Sequence, residues 1–248
     1  MINIILTGSG GAMGKNLVEL ISEAPDMQVS AGIDRSIHEN YSFPQFTEFS
    51  EEVKGDVIID FSHYTFVPSI LDFCESSGIP AVICTTGLTD EIIQRIELVS
   101  KKTALFRSGN MSLGINLLID LVKKAAIVLE DSFDMEIIEK HHNKKVDAPS
   151  GTAKMIANAM KDVLSADTDF VYGRSGNDAK RDNKEIGIHA VRGGTIVGQH
   201  DVIFAGIDEV IEIKHTAASK RVFAQGAISA ARFMAGRGPG LYDMNDIL

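Results

Sequence analysis

Over its first 110 residues the chain alternates between two patterns of apolar and polar positions. Short, nearly continuous apolar runs stand at residues 2–6, 29–33, 57–61, 81–84 and 104–106. Apolar residues at helical spacing fill several of the gaps, at 12–22, 67–76 and 90–100. A strand buried on both faces reads as a continuous apolar run. Such strands alternating with helices predict a parallel sheet wrapped by helices. Gly78-Ile79-Pro80 marks one return from helix to strand.

After residue 110 the pattern changes. A long helical stretch covers 114–129, a strand 133–140, then a loop rich in His and Lys, then a helix from about 150 to 164. Residues 173–185 are polar and rich in Gly, Asn and Lys, which predicts a mobile loop. Three β-like runs follow at 186–192, 196–205 and 209–215, parted by Gly193-Gly194 and Gly206-Ile207-Asp208. They predict an antiparallel or mixed sheet in a second domain. The last helix, 222–235, is rich in Ala and Gly and suited to close packing.

Composition narrows the class. With 248 residues, 44% of them hydrophobic, the chain is long enough for a sizeable core and too apolar for a disordered one. No uninterrupted apolar run approaches the roughly 20 residues of a membrane helix, so no membrane partner is expected. The formal charge of −10 argues against nucleic-acid binding and makes any local cluster of cations stand out. Cys74 and Cys84 lack metal spacing and read as reduced thiols of a cytoplasmic protein. The first 15 residues read as strand and glycine loop, without a signal-peptide pattern.

Candidate chemistry lies in two places. The first strand runs into Gly8-Ser9-Gly10-Gly11-Ala12-Met13-Gly14 and then a helix. Glycines there let the chain turn tightly and bring backbone N–H groups to a pyrophosphate at the helix N-terminus. Gly8 and Gly10 fit the start of a GxGxxG pattern, but Met13 holds the third position; Gly8, Gly11 and Gly14 make GxxGxxG instead. Asp34, 20 residues after Gly14, stands where an acid accepts ribose hydroxyls, and Arg35 can pair with a 2′-phosphate. The pair is compatible with NADH, NADPH or both. Phe61-Ser62 and Thr85-Thr86-Gly87 end later strands, beyond which ligands of open α/β sheets bind.

The second place is the run from Glu139 to Ala153. It holds His141, His142, Lys140, Lys144 and Lys145, and leads through Pro149 and Ser150 into a helix. Ser150 or Thr152 would cap that helix, leaving the N–H groups of Gly151 and Thr152 as an anion site. Strand-like alternation would put 141, 143 and 145 on one face. Such a cluster suits a small, multiply anionic substrate, and His is the natural proton donor near neutral pH. A metal site among His141, His142, His189, His200 and His215 finds no supporting ligand spacing.

These residues resemble the 4-hydroxy-tetrahydrodipicolinate (dihydrodipicolinate) reductase family over essentially the whole chain. The resemblance rests on residues 8–14, on Thr85-Thr86-Gly87, on Asn110-Met111-Ser112 with Gly114 and Asn116, and above all on the run 145–153. It extends through His189-Ala190-Val191-Arg192, Ile196-Val197-Gly198 and His200 to Gly240-Leu241-Tyr242-Asp243-Met244.

The resemblance implies an α/β fold: a Rossmann-like dinucleotide-binding domain, 1–112 with 222–248, plus an α+β substrate and oligomerisation domain with a mixed sheet, 113–221. It implies an NADH- or NADPH-dependent, cytoplasmic homotetramer acting on a small dicarboxylate. By motif position, His141 is the proton donor and acceptor, and Lys145 the second donor. His142, Gly151 and Thr152 hold substrate carboxylates, with Lys144 and Ser150 beside them. Gly8, Ser9, Gly10, Gly11, Ala12, Met13, Asp34, Arg35, Cys84, Thr85, Thr86, Gly109, Asn110, Met111 and Ser112 line the cofactor.

Two positions depart from the family pattern. Cys84 replaces a usual Gly, and its side chain either crowds the cofactor or enters the core. Asn143 stands where Arg is common, with Lys144 as the neighbouring cation. The rival readings are an amino-acid or semialdehyde dehydrogenase, such as an aspartate dehydrogenase, and a non-catalytic dinucleotide sensor. The first should lack the run 145–153; the second should have lost His141 or Lys145.

Overall fold

The structure is a computed structural model describing residues 1–38, 40–182 and 184–248. The chain divides into two compact units, Met1–Leu113 with Arg221–Leu248, and Gly114–Lys220. The first unit opens with β1 (Ile2–Thr7), α1 (Ala12–Ser22), β2 (Met27–Ile33), β3 (Gln45–Phe46) and β4 (Val57–Asp60). It continues with α2 (Val67–Ser77), β5 (Ala81–Ile83), α3 (Asp90–Val99) and β6 (Ala104–Arg107). The second unit holds α4 (Leu113–Leu129), β7 (Asp134–His141), α5 (Gly151–Lys161), β8 (Asp169–Tyr172), β9 (Glu185–Arg192), β10 (Gly198–Ala205) and β11 (Val210–Ala217). The chain returns to the first unit with α6 (Arg221–Met234) and β12 (Gly240–Tyr242).

The first unit is Rossmann-like. Its sheet has the order β12-β6-β5-β4-β1-β2-β3, with all neighbours parallel. The five apolar runs are its inner strands, and alternate residues feed opposite faces. Ile4, Leu6 and Ile59 pack with Leu17 of α1 and Ile228 of α6 on one face. Ile5, Ile58 and Ile83 pack with Leu71 of α2 and Ile96 of α3 on the other. Burial on both faces is why those runs lack polar alternation. The side chain of Thr89 starts α3 by accepting a bond from the N–H of Ile92, and Asp90 and Glu91 complement its first turn. Small residues let α6 sit close: Ala224, Ala227, Ala230 and Ala231 are all fully buried.

The second unit settles the alternative left open above. Its sheet, β11-β10-β7-β9-β8, is mixed: β10 runs antiparallel to β7 and β11, while β9 is parallel to β7 and β8. One face packs Ile137, Ile188, Val202 and Phe204 against Leu118 and Val122 of α4 and Ile156 of α5. Along β7 the inward positions are Met135, Ile137, Glu139 and His141. Along β10 they are Gly198, His200, Val202 and Phe204. At one end of the sheet the core face therefore changes from apolar to polar. Register confirms the lateral match: Ile137 pairs with Val202, and Glu139 with His200.

Two expectations need correction, and three short strands carry no signal in the sequence. β3, β8 and β12 were not legible, because strands of two to four residues carry no readable period. The alternation of 141, 143 and 145 fails: β7 ends at His141 and residues 143–144 turn. The turn is held by the N–H of Lys145, which bonds the His142 carbonyl at 3.1 Å, and by Asn143 N–H on the Gly194 carbonyl. The predicted loop 173–185 has no element before β9, but it is tied to the sheet. Arg174 bonds Glu136 at 2.7 Å and pairs with Glu185; Arg181 bonds Asp134 at 2.8 Å and Glu136 at 3.1 Å. Asn183 of that loop lies outside the described residues.

Candidate functional site

In the first unit, the turn between β1 and α1 is built by close approach. Gly8 has φ +74°, and a β-carbon on it would lie 2.6 Å from the Phe61 carbonyl oxygen. A β-carbon on Gly14 would lie 2.3 Å from the Gly8 carbonyl oxygen. Gly14 thus packs the helix onto the loop, the part that the third glycine of GxGxxG usually plays. Gly11 caps α1 without any side-chain hydrogen bond, so the first N–H groups of the helix keep no side-chain cap.

Asp34 stands at the end of β2 beside this turn. One carboxylate oxygen accepts the N–H of Gly10 at 2.7 Å and the other accepts that of Arg35 at 2.7 Å. His38 lies 3.9 Å from it. A cleft of about 200 Å³ is lined by Gly8, Asp34, Arg35, Ser62, His63 and Phe66, among others. His63 and Phe66 were not singled out in the sequence; they open the segment after β4.

The strand ends are tied together by short polar bonds. Asp60 is fully buried and accepts from the Thr7 hydroxyl at 2.6 Å and the Ser62 N–H at 2.9 Å. The Thr85 hydroxyl bonds the Ser62 carbonyl at 2.9 Å. Asn110 accepts the Ser112 N–H at 2.9 Å, and Met111 is buried with them. Cys84 resolves one question: its side chain is in the core cluster, where burial pushes its thiol well above the ordinary range. Of the two alternatives for its side chain, crowding a cofactor or entering the core, the structure has the second.

In the second unit, the polar end of the sheet gathers the other candidates. His141 is 9% exposed, and its Nδ1 lies 2.6 Å from Oε2 of Glu139. Glu139 is fully buried. Arg192, beside His141 in register, donates to both Glu139 oxygens at 2.7 Å. The Ser150 N–H donates to Oε1 at 2.9 Å. Burial alone would raise the Glu139 carboxyl, but the bonds from Arg192, His141 and Ser150 hold it below its usual range. Arg192 in turn is raised by Glu139.

Of the two candidate caps, Ser150 is the one in place: its hydroxyl accepts from the Ala153 N–H and also lies 3.1 Å from Nε2 of His200. His200 is pushed down to about 4, by burial first and by the neighbouring His141 second. The two rings lie 5.3 Å apart, edge to face. Gly151 and Thr152 then open α5. Lys145 pairs with Asp147 at 2.8 Å, and this lowers the Asp147 carboxyl. Lys144 is exposed and His142 half-buried.

His189 stands apart, bonded to Glu136 at 2.7 Å. Among the described residues, no group of three or more His, Cys, Asp or Glu is arranged to hold a metal ion. No described helix is long and apolar enough to cross a membrane. Glu139, Arg192 and Asp60 were not assigned roles from the sequence. Each of the two acids follows apolar residues toward the end of its strand, at a buried position.

Comparison with known proteins agrees with both halves. Residues 2–111 match the family described as dihydrodipicolinate reductase, N-terminus, and residues 114–248 match dihydrodipicolinate reductase, C-terminus. The chain is 51% identical to a 4-hydroxy-tetrahydrodipicolinate reductase of Caldanaerobacter subterraneus, covering 100% of this chain and 98% of that one. It is 46% identical to another from Clostridium novyi, with the same coverage. A dipicolinate-bound dihydrodipicolinate reductase from Paenisporosarcina has the same fold, with TM-score 0.82 at 24% identity over 100% of both chains. An aspartate dehydrogenase from Thermotoga maritima shares the fold more distantly, with TM-score 0.53 at 12% identity over 96% of this chain and 98% of that one.

Proposed function

The chain belongs to the dihydrodipicolinate reductase family, and we propose how its own residues divide that family's reaction. It is an NADH- or NADPH-dependent oxidoreductase that reduces 4-hydroxy-tetrahydrodipicolinate to tetrahydrodipicolinate in lysine and diaminopimelate biosynthesis. The observation that carries our reading is the buried cluster at the end of β7, where a histidine, a carboxylate and a helix N-terminus meet.

The first unit serves as the dinucleotide-binding domain. The start of α1, which has no side-chain cap, offers backbone donors to a pyrophosphate; Gly8, Ser9, Gly10, Gly11, Ala12 and Met13 line the turn, where the N–H groups of Gly8, Gly10 and Gly11 already bond the Ile33 carbonyl, Asp34 and the Gly8 carbonyl. Asp34 accepts ribose hydroxyls, already oriented by the Gly10 N–H. Arg35 faces a 2′-phosphate where there is one. Thr85, Thr86, the Cys84 backbone, Gly109, Asn110, Met111 and Ser112 line the remainder. These residues fit a nicotinamide dinucleotide, which supplies the hydride when bound.

The second unit serves as the substrate domain. The N–H groups of Gly151 and Thr152, with Ser150, His142 and Lys144, hold the two substrate carboxylates. Binding both ends of the ring fixes its orientation, which lowers the entropic part of the barrier. The 4-hydroxyl leaves as water, hydride adds at C4 of the conjugated imine, and His141 delivers the balancing proton at C3, with Lys145 as the second donor. Lys145 leaves Asp147 for the substrate dianion in this reading; the Asp147 side chain is half-exposed and the pair is weak. Assembly into a cytoplasmic homotetramer through the second sheet completes the proposal. Strand β11 supports that, being an edge with Val210 and Ile211 exposed.

The test is a steady-state assay with enzymatically generated substrate and each cofactor in turn. Substrate-dependent oxidation of NADH, NADPH or both is expected. A folded protein that binds pyridine-2,6-dicarboxylate but oxidises neither cofactor would contradict the reading.

A further inference from the structure

We propose that Glu139 and Arg192 form a positioning pair for the reaction. Glu139 holds the His141 imidazole and the start of α5 in one fixed relation, and Arg192 sets how much of the Glu139 charge the imidazole feels. The proposal rests on the reading of His141 as proton donor.

A carboxylate with no solvent exposure must find all its partners inside the protein. Those of Glu139 are not scattered. Oε2 takes His141 Nδ1 at 2.6 Å and one Arg192 nitrogen at 2.7 Å; Oε1 takes the other Arg192 nitrogen at 2.7 Å and the Ser150 N–H at 2.9 Å. An ionised carboxylate only accepts, so the Nδ1 beside it carries a hydrogen. Nε2 is then the nitrogen that exchanges a proton with substrate. Ser150 immediately precedes Gly151 and Thr152, whose N–H groups are the proposed carboxylate cradle. One side chain therefore references the proton donor and the anion site to each other, within the few tenths of an ångström that catalysis tolerates.

A role in stability alone accounts for this poorly. Met135 and Ile137 occupy the preceding inward positions of the same strand, so apolar packing is available there. Replacing buried ion pairs by apolar residues is often neutral or stabilising. Charge is kept where two of its bonds end on functional groups.

The groups facing His141 can be named. Glu139 comes from its own strand, Arg192 from β9 and His200 from β10, with His215 opposite His200 on β11. Burial keeps His200 neutral down to about pH 4 and lowers His215 as well. Near neutral pH the Glu139–Arg192 pair therefore supplies the formal charge beside the imidazole.

The experiment is the pH profile of kcat/KM for Glu139→Gln and Arg192→Gln at saturating cofactor, with folding checked by circular dichroism. A proton donor loses activity on the alkaline side. Glu139→Gln removes the anion beside the imidazole, so the alkaline limb moves to lower pH. Its kcat at neutral pH falls about tenfold or more, since an amide can also select the wrong tautomer. Arg192→Gln leaves the carboxylate less neutralised, so its limb moves to higher pH. Glu139→Asp keeps the charge and the limb but raises KM, because a side chain one methylene shorter cannot reach both His141 and Ser150.

Opposite displacements establish the pair; general damage would lower the amplitude and leave the limbs in place. Limbs that stay put, or move together, overturn the proposal. If Glu139→Gln does not fold, Arg192→Gln decides: an upward move supports the pair, and an unmoved or lowered limb overturns it. His141→Gln keeps the two readings apart. Near wild-type turnover there removes the proton-donor reading itself. Lost turnover there, with unmoved limbs in the other variants, removes only the pair.

Discussion

The head of α1 and the end of β7 are the two places proposed to set a helix N-terminus against an anion, and they are built in opposite ways. At α1 the site is made by side chains that are missing: Gly8 and Gly14 bring backbone against backbone, and Gly11 caps the helix with no side-chain bond. At α5 the helix is capped by Ser150, and its approach is set by a buried carboxylate held by an arginine and a histidine. The first arrangement suits the pyrophosphate of a cofactor, whose charge is the same before and after hydride transfer and which shape and backbone donors can recognise. The second suits a step in which a proton moves, because only titratable groups can supply one. In the proposed division, shape governs binding at the first site and charge governs turnover at the second.

Substitutions should break this contrast in graded ways. The largest effect is expected from Lys145→Ala, which removes the proposed second proton donor. Turnover should fall on the order of 10²–10⁴-fold, the range for lost acid catalysis, with cofactor affinity unchanged in a fluorescence titration. Loss of cofactor binding instead would erase the division. Next is Gly14→Ala. Its methyl would lie 2.3 Å from a backbone oxygen, and overpacking of this kind costs about 1–3 kcal/mol. Cofactor affinity should drop about tenfold, while pyridine-2,6-dicarboxylate, titrated without cofactor, binds as before.

Smaller shifts should sharpen cofactor choice. Asp34→Ala should raise the Michaelis constant for NADH more than for NADPH, since it removes an acceptor from one and a repulsive charge from the other. Arg35→Ala should do the reverse. Equal losses with both cofactors in either variant would count against the placement of that side chain.

The smallest effect on turnover is expected from His200→Gln, which instead probes stability. His200 titrates near 6.5 when unfolded and near 4 when folded. The unfolded chain thus binds more protons between those values, and stability present above about pH 6.5 is lost as pH falls toward 4. That loss amounts to about 3 kcal/mol through this one group. The variant should show a flatter denaturation profile over that window. A profile as steep as wild type would mean that His200 is not the group responsible.

Legibility followed the same divide. The inner strands of the first sheet could be read because burial on both faces leaves unbroken apolar runs such as 2–6 and 57–61. The glycine turn could be read because its residues are defined by what they lack. The polar end of the second sheet was only half legible. His141, Lys145 and the helix start stood out by type, yet Glu139 passed as one more charge beside a basic loop. What marks it is its place at an inward position after Met135 and Ile137, which needs the strand register. Arg192 lies 53 residues from Glu139, and no local pattern joins them. The misplaced faces of 143 and 145 arose because strand alternation was carried two residues past the point where the chain turns.

In the proposed enzyme, cofactor binding and proton delivery are separate properties of separate regions, and this separation can be tested. It is tested most directly in His141→Gln by measuring two quantities on one preparation: the dissociation constant for NADH or NADPH, and the turnover number with enzymatically generated substrate. The account predicts a dissociation constant near that of wild type and a turnover number lower by on the order of 10²–10⁴-fold. A near wild-type turnover number, or a turnover loss matched by an equal loss of cofactor affinity, would contradict it.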